Sequence, residues 1–150
     1  MAGLFLVQRY PETLSGTALK TLLQIATPAN QRIRLWEISL STKGVVASDP
    51  PGLVELLVQT TAGTMTANNP SAEDPSAAET PQTTGSRDAS AEPTGAAILR
   101  TWEIHPQGGG LIWQAASMAD ALILGGGRRV GLRVTFTVSI SVTGYLRLEE

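Results

Sequence analysis

The sequence contains no cysteine and a single histidine, and both scarcities narrow the chemistry available to it. Without cysteine there are no disulfides, no zinc–thiolate sites and no thiol nucleophiles. His105 stands alone beside Pro106, so a transition-metal site would need carboxylates from distant positions, and a structural role at a turn is the better interpretation. We therefore expect no metal site and no other cofactor.

Charge is scarce as well. Charged residues make up 16% of the chain, against about a quarter in a typical globular protein. The formal net charge of −2 provides no overall basic field, so nucleic acid is not an expected partner. Among the basic residues only Lys20 and Lys43 are lysines. A GC-rich genome and selection for bidentate arginine pairing both explain that bias, and both alternatives stay open.

Long apolar runs are missing too. The apolar residues 4–7 near the start have neither a basic region before them nor enough length for a signal peptide. No run approaches the roughly 20 residues of a membrane helix. We expect a protein made and kept in soluble form, with no membrane partner.

What the sequence does have is alternation, most clearly over residues 125–150. Apolar residues there occupy every second position, a period that places them on one face of a strand. The run far exceeds the common strand length of about 5–6 residues, so we predict a bend near residues 136–139. The apolar face comprises Val130, Leu132, Val134, Phe136, Val138, Ile140, Val142, Leu146 and Leu148.

Shorter strand patterns occur along the rest of the chain, separated by turns that use many of its 15 glycines and 9 prolines. A change of phase near Leu35 and Trp36 predicts a β-bulge. The outward position of Leu57 indicates a face that is not wholly solvent-exposed. The patterns predict seven to nine strands in one all-β domain, an antiparallel β-sandwich with the jelly roll as the favoured form. They lie at residues 3–9, 17–27, 31–41, 53–61, 98–105, 111–115 and 121–124.

Two segments stand apart from the regular pattern of the domain at residues 17–150. Residues 1–16 are predicted to be an N-terminal strand or arm, and the consecutive apolar residues 4–7 need cover on both faces. The alternatives are an edge strand and an arm laid on a neighbouring subunit.

Residues 66–97 form a long polar insertion with almost nothing to bury. We expect it to be a loop or arm that is either laid over a partner or disordered. Fully extended, the insertion would span on the order of 100 Å.

No constellation of residues predicts catalysis, so we expect that the protein is not an enzyme. The sequence has no G-x-S-x-G elbow for a serine nucleophile. Glu37, Glu55 and Glu103 provide carboxylates of the glycosidase kind, but nothing singles out a pair.

Two triple glycines, at residues 108–110 and 125–127, invite a phosphate-loop interpretation. Both lead into strands and lack the lysine and hydroxyl residue of such loops, so we interpret them as turns. Arg128 and Arg129 follow the second turn, and their forked donors suit a carboxylate on a partner.

The three tryptophans lie on predicted strands. Trp102 and Trp36 share parity with apolar neighbours, which favours the core for both. Trp113 is the tryptophan left free to be a surface aromatic.

The order of the segments resembles a known family. TLLQIATPANQRIRLWEISLS, VELLVQTTAGTMT, a polar Ala/Thr/Pro tract, LRTWEIHPQGGGLIWQ and GGGRRVGLRVT…GYLRLEE are similar to small β-sandwich capsid decoration (auxiliary or cement) proteins of tailed bacteriophages. The resemblance covers residues 17–150 and rests on segment order, not on a catalytic motif. Residues 1–16 lie outside it, and at residues 135–140 an unbroken β pattern replaces the expected turn residues.

The resemblance implies a structural virion protein without enzymatic activity. Such proteins are made in the host cytoplasm, form homo-oligomers, commonly trimers of jelly-roll-like subunits, and bind the major capsid protein on the outer capsid surface. The alternative is a carbohydrate- or receptor-binding module of a phage tail or fibre, which would use Trp113 in an exposed groove. The candidate partner-contact residues are Leu4, Phe5, Leu6, Val7, Glu73, Asp74, Glu79, Arg87, Trp113, Arg128 and Arg129.

Overall fold

The computed structural model describes residues 3–14, 19–76 and 79–150, and all regular elements in these ranges are β-strands. Alternating polarity, β-branched side chains and turns rich in glycine and proline favour strands over helices. The predicted all-β class is confirmed. The strands are β1 (Leu4–Leu14), β2 (Lys20–Ala26), β3 (Ile33–Lys43), β4 (Gly52–Gln59), β5 (Thr64–Ala67), β6 (Ser71–Ala72), β7 (Thr84–Ala91), β8 (Gly95–Ile104), β9 (Gly110–Gln114), β10 (Leu122–Leu124), β11 (Arg129–Thr135) and β12 (Ile140–Glu149).

The strands form two antiparallel sheets that pack against each other as a β-sandwich, as predicted. Sheet I has the order β10-β3-β12-β1-β6, with β9 also paired to β3, and sheet II has the order β5-β7-β2-β11-β4-β8. Within them, β1-β12-β3-β9 faces β2-β11-β4-β8, which is the strand order of a jelly roll. The remaining strands β5, β6 and β7 belong to the insertion, and β10 extends sheet I beside β9.

The closing stretch bends where the sequence predicts, at residues 136–139 between β11 and β12. Both strands are central in their sheets, β11 in sheet II and β12 in sheet I. The alternating apolar face therefore enters the core from both sides of the sandwich. All of its predicted members are buried except Val138, which packs partly buried against the same core.

The predicted bulge in β3 is also present. Leu35 pairs with Leu148 and Glu37 with Arg147, so Trp36 is the extra residue. Leu35 stays in the core, but Trp36 is only half-buried, and its indole Nε1 donates to the carboxylate of Glu149 on the outer face of sheet I at 3.0 Å. The prediction of a core position for Trp36 is wrong. The bulge lets the apolar residues on both sides of it face the core, and Trp36, as the extra residue, is left off that face.

The outer face of sheet II is covered in part, as the outward position of Leu57 indicated. Leu57 is only 1% exposed, and a Cβ on Gly95 would come within 2.9 Å of its Cδ1. Beside it, buried Gln59 accepts a hydrogen bond from Gln24 at 2.6 Å and donates one to Thr21 at 3.0 Å. This part of the face is buried yet polar.

The N-terminal segment is a strand of the sandwich, longer than the predicted residues 3–9. β1 pairs with β12 over its whole length and with the two-residue β6 on its other side. The expected stop at Tyr10 and Pro11 is instead a register shift between Arg9 and Glu12, after which pairing resumes. Tyr10 and Pro11 lie within this register shift, where a proline costs no ladder hydrogen bond, and this allows the strand to continue.

The polar insertion folds back on its own chain. β7 lies between β5 and β2 at the edge of sheet II, and β6 pairs with β1 at the edge of sheet I. The expectation of an unstructured loop or an arm on a partner is corrected here for the described residues. The insertion buries little apolar surface, and it is held against the body of the sandwich by these backbone ladders together with ion pairs between charged side chains.

Candidate partner-binding surfaces

The four apolar residues predicted for partner contact at the N-terminus divide between two environments. Phe5 and Val7 point into the sandwich and are buried in the core. Leu4 and Leu6 take the other parity of β1, where Leu4 is exposed and Leu6 is half-buried. Phe5 and Val7 are therefore removed from the candidate surface, because alternation in a strand places neighbours on opposite faces.

Two charged residues predicted for partner contact are instead paired within the subunit. Glu73 accepts a hydrogen bond from Arg147 at 2.8 Å, which raises the pKa of Arg147. Arg87 bonds to Glu12 on β1 at 2.5 Å, and this hydrogen bond raises the pKa of Arg87. Both pairs join the insertion to the body of the sandwich, so neither side chain is spare for another molecule.

The other two acidic candidates of the insertion are exposed. Asp74 accepts hydrogen bonds from the backbone N–H and hydroxyl of Ser76, at 2.9 and 2.6 Å, and these lower its pKa. This is a local turn motif. Glu79 lies beside Gly3 at the rim of a shallow surface cavity.

A buried ion pair, which the sequence analysis missed, holds β7 to β1. Arg9 is 1% exposed, and its Nε lies 2.6 Å from Oδ1 of Asp88. The same guanidinium also donates to the backbone carbonyl oxygens of Val142 and Glu12. Asp88 adopts a left-handed φ of 52°, a conformation that aspartate tolerates better than most residues. The only sign of this pair in the sequence was that Arg9 lies two residues after Val7, which places both on the inward face of the strand.

A polar network crosses the outer face of sheet I. The hydroxyl of Tyr145 donates to Glu37, and this hydrogen bond, followed by burial, raises the pKa of Tyr145. Arg147 lies beside both and also reaches Glu73. Glu149 accepts from the indole of Trp36 and from Arg34. The exposed part of this face is therefore patterned with paired charges.

Trp113 and Trp102 close the sandwich between β9 and β8. Trp113 lies opposite Ile38, so it points inward, and both tryptophans pack partly buried against the core. The guanidinium of Arg100 covers the Trp113 ring at 5.9 Å from its centroid. Trp113 is thus not the free surface aromatic that the sequence suggested, and Trp36 is the tryptophan on an outer face.

The side of the sandwich formed by β8, β9 and β10 has unpaired strand edges. Within the described ranges, β8 pairs only with β4, and β9 and β10 pair only with β3. Each edge carries an exposed isoleucine: Ile98 at 56%, Ile112 at 73% and Ile123 at 54%. We call these strand edges and their isoleucines the open side.

The opposite side is closed by the insertion. There β6 covers part of the β1 edge, and the ion pairs of Arg9 and Arg87 join β7 to β1. The Glu150 carboxylate adds two hydrogen bonds, from the backbone N–H groups of Gln82 and Thr83, both at 2.9 Å. Free strand edges favour pairing with another chain. The closed side ends in the short strands β5 and β6, whereas the open side ends in β8, β9 and β10 with their exposed isoleucines.

The turn at residues 125–127 confirms the interpretation of the second triple glycine. Gly127 has a positive φ of 68°, and its N–H donates to the Pro28 carbonyl at 3.0 Å, so the segment closes onto the loop after β2. Arg128 follows and is exposed, and Arg129 is half-buried on the outer face of sheet II. The two arginines therefore lie in different surroundings.

Residues considered for catalysis do not come together. The Nδ1 of His105 accepts the backbone N–H of Gln107 at 3.0 Å, which is a turn contact. Glu37 lies on sheet I, whereas Glu55 lies on sheet II in an ion pair with Arg133 at 2.8 Å. Glu103 is exposed on β8. Over residues 3–14, 19–76 and 79–150, no group of three or more potential metal ligands occurs, and no helix is long and apolar enough to cross a membrane.

Comparisons of the chain with protein-family models, curated proteins and solved structures give no significant match.

Proposed function

We propose that the protein is a structural virion component that binds the outside of a phage capsid as a homo-oligomer and stabilises contacts between major capsid subunits. The proposal rests on the segment order that resembles capsid decoration proteins and on the jelly-roll order of the strands. A protein with this role needs a rigid body and a surface that accepts another protein.

The open side is the observation that carries the proposal. Unpaired N–H and C=O groups along β8 and β9 can extend a sheet into a neighbouring chain. The isoleucines beside them supply apolar area, and burying one such side chain contributes about 1.5–3 kcal/mol. Monomeric proteins commonly blunt long edges with lysine or proline. β8, which is ten residues long, contains neither, although Arg100, Glu103 and two register shifts in its pairing with β4 limit the edge in part.

The closed side complements this surface. Ion pairs join the insertion to β1 and β12, so the edge that the insertion covers is stabilised internally. The outermost strands on the closed side, β5 and β6, are only four and two residues long, and such short edges accept another chain less readily than the ten-residue β8. This difference favours association through the open side.

The experiment compares two charge insertions. Ile112→Glu places a carboxylate on the open side, and Tyr10→Glu places one on the exposed part of β1 on the closed side. Light scattering after size-exclusion chromatography reports oligomer size, and co-sedimentation with purified capsid shells that lack their decoration protein reports binding.

We expect the unmodified chain and Tyr10→Glu to be oligomeric and to sediment with shells. Ile112→Glu should shift the oligomer to monomer, or weaken shell binding at least about tenfold, because it buries a charge in an apolar contact. A monomeric chain without affinity for shells would contradict the proposal, and equal behaviour of the two variants would contradict the assignment of the open side.

The second candidate is a carbohydrate- or receptor-binding module, and the outer-face position of Trp36 favours it. A half-buried indole flanked by Arg34 and Glu149 provides a stacking surface next to polar groups. The original candidate aromatic, Trp113, does not serve this function beneath Arg100. A glycan array with the unmodified chain and Trp36→Ala tests this candidate, and an array without hits would remove it.

A further inference from the structure

A cavity of about 290 Å³ lies on the outer face of sheet II, away from the open side. Small residues form its floor, including Ala26 of β2 and Gly85 of β7, and Ala67 of β5 lies exposed at its rim. Met65 and Arg129 are among the larger side chains that line it. The volume is at the lower end of the range for small-molecule sites.

Two arginines on the same face of β11 differ in their partners. Arg133 lies opposite Glu55 of β4, and the pair forms an ion pair at 2.8 Å. Arg129 lies opposite Gln59, which is neutral. Among the described residues no carboxylate forms an ion pair with Arg129, and its half-buried guanidinium borders the cavity.

The remaining polar groups of the cavity provide both donors and acceptors. Asn69 uses its Oδ1 to accept the N–H of Gly85 at 3.3 Å, which leaves its NH₂ group available. The Ser86 hydroxyl donates to the sulfur of Met65 at 3.6 Å and therefore offers a ligand only its oxygen lone pairs, whereas the Thr84 hydroxyl can donate or accept. A half-buried cation without a carboxylate partner favours an anion, and the planar guanidinium matches a carboxylate best.

One acceptor in the cavity specifies a second feature of the ligand. Gln24 donates through Nε2 to Gln59 at 2.6 Å and to the Thr61 carbonyl at 3.1 Å, so its Oε1 is the free atom. An amide oxygen near the cationic site suits a hydroxyl on the same ligand. The apolar floor, in turn, suits the carbon face of a ring.

We propose that this cavity binds a small hydroxylated carboxylate of the size of a single sugar acid, with its carboxylate on Arg129. The inference does not depend on the proposed function, because the cavity is separate from the open side and its residues take no part in that interface. An acidic side chain of a polypeptide offers the same carboxylate without the hydroxyls, and the test includes it as a competing source.

The experiment is a ¹⁵N NMR titration of the full chain with three ligands. They are galacturonate, neutral galactose, and a tripeptide with blocked termini that contains one glutamate. Arg129→Gln removes the cation, and Arg128→Gln is the matched control, one residue away and exposed outside the cavity. Ala67→Leu, at an exposed position of the rim, narrows the cavity without touching either arginine.

We expect galacturonate to shift the amide signals of β2, β5 and β7, with galactose at least about tenfold weaker. Arg129→Gln and Ala67→Leu should each weaken binding by a similar factor, and Arg128→Gln should leave it within about twofold. No response to galacturonate, equal binding of galactose, or equal loss in Arg128→Gln would overturn the proposal. Tighter binding of the peptide than of galacturonate would overturn the sugar-acid assignment.

Discussion

Arg9 and Asp88, 79 residues apart in the chain, meet inside the sandwich with Nε and Oδ1 at 2.6 Å. Their side chains are 2% and 15% exposed, so the pair is largely shielded from water. Removing one partner of a buried ion pair leaves an uncompensated charge, which typically costs about 3–5 kcal/mol.

We therefore predict that Asp88→Asn lowers the free energy of unfolding by about 3 kcal/mol, measured by urea denaturation. Asparagine tolerates the left-handed φ at this position as aspartate does, so the loss in the free energy of unfolding reports the removal of the charge. Glu12→Gln is the exposed-pair comparison, because Glu12 is 44% exposed, lies 4.0 Å from the same guanidinium and otherwise pairs with Arg87, whose side chain is 26% exposed. Equal losses in the two variants would show that burial of the pair is not the cause.

Tyr145 gives a prediction for alkaline pH. The hydrogen bond to Glu37 and burial raise its pKa above the ordinary value of 10.0. A pKa raised in the folded state contributes stability that is fully present below pH 10.0 and is lost as the pH rises through the folded-state pKa. The ultraviolet absorbance of the phenolate follows this titration directly.

In Glu37→Gln the pKa of Tyr145 should fall toward its ordinary value, because the charged acceptor is gone. Tyr145→Phe identifies which part of the absorbance change belongs to Tyr145, since Tyr10 is the other tyrosine in the chain. A pKa of Tyr145 that is unchanged in Glu37→Gln would contradict the assigned cause.

Gly52 and Phe136 test the packing at the bend between β11 and β12. A Cβ on Gly52 would lie 2.1 Å from the Phe136 ring, so the ring occupies the space that glycine leaves. Gly52→Ala should reduce stability by about 1–3 kcal/mol through overpacking. The control is Gly125→Ala, where an added Cβ meets nothing within 4 Å. Both are compared by urea denaturation, and a neutral Gly52→Ala would contradict the close contact.

Alternation along the chain predicted the sandwich because the period of two survives wherever one face is buried. The apolar face of β11 and β12 could be assigned residue by residue, and so could the bend between them. Trp102 packs against the core as its parity predicted, but Trp36 and Trp113 could not be assigned in this way, because a bulge of one residue reverses parity. Trp36 moved outward at such a bulge, and Trp113 moved inward because β9 pairs with β3 in a register that sequence alone does not fix.

The insertion escaped prediction for a different physical reason. Its composition shows correctly that it has little to bury, and an isolated segment of that kind does not order itself. The order comes from the backbone pairing of β7 with β2 and from ion pairs with residues far away in sequence, such as Asp88 with Arg9 and Glu73 with Arg147. Contacts between residues that lie so far apart in the chain leave no pattern in the local sequence. The same limit hid the difference between Arg129 and Arg133, which depends on the residues opposite them in β4.

Gln59 tests whether the buried polar groups on the outer face of sheet II act as a unit. It is 2% exposed, accepts from Gln24 and donates to Thr21, so Gln59→Leu leaves both neighbours without this partner. An unsatisfied buried polar group costs about 1–3 kcal/mol, and we expect a loss in the free energy of unfolding of at least about 2 kcal/mol.

Gln8→Leu is the matched control, because Gln8 is exposed on β1 and a change there should stay within about 0.5 kcal/mol. The double variant Gln24→Leu with Gln59→Leu should lose less than the sum of the two single variants, since it removes both ends of their hydrogen bond. Strict additivity in urea denaturation would show that the two amides contribute independently. A subadditive result would show that they stabilise this face together.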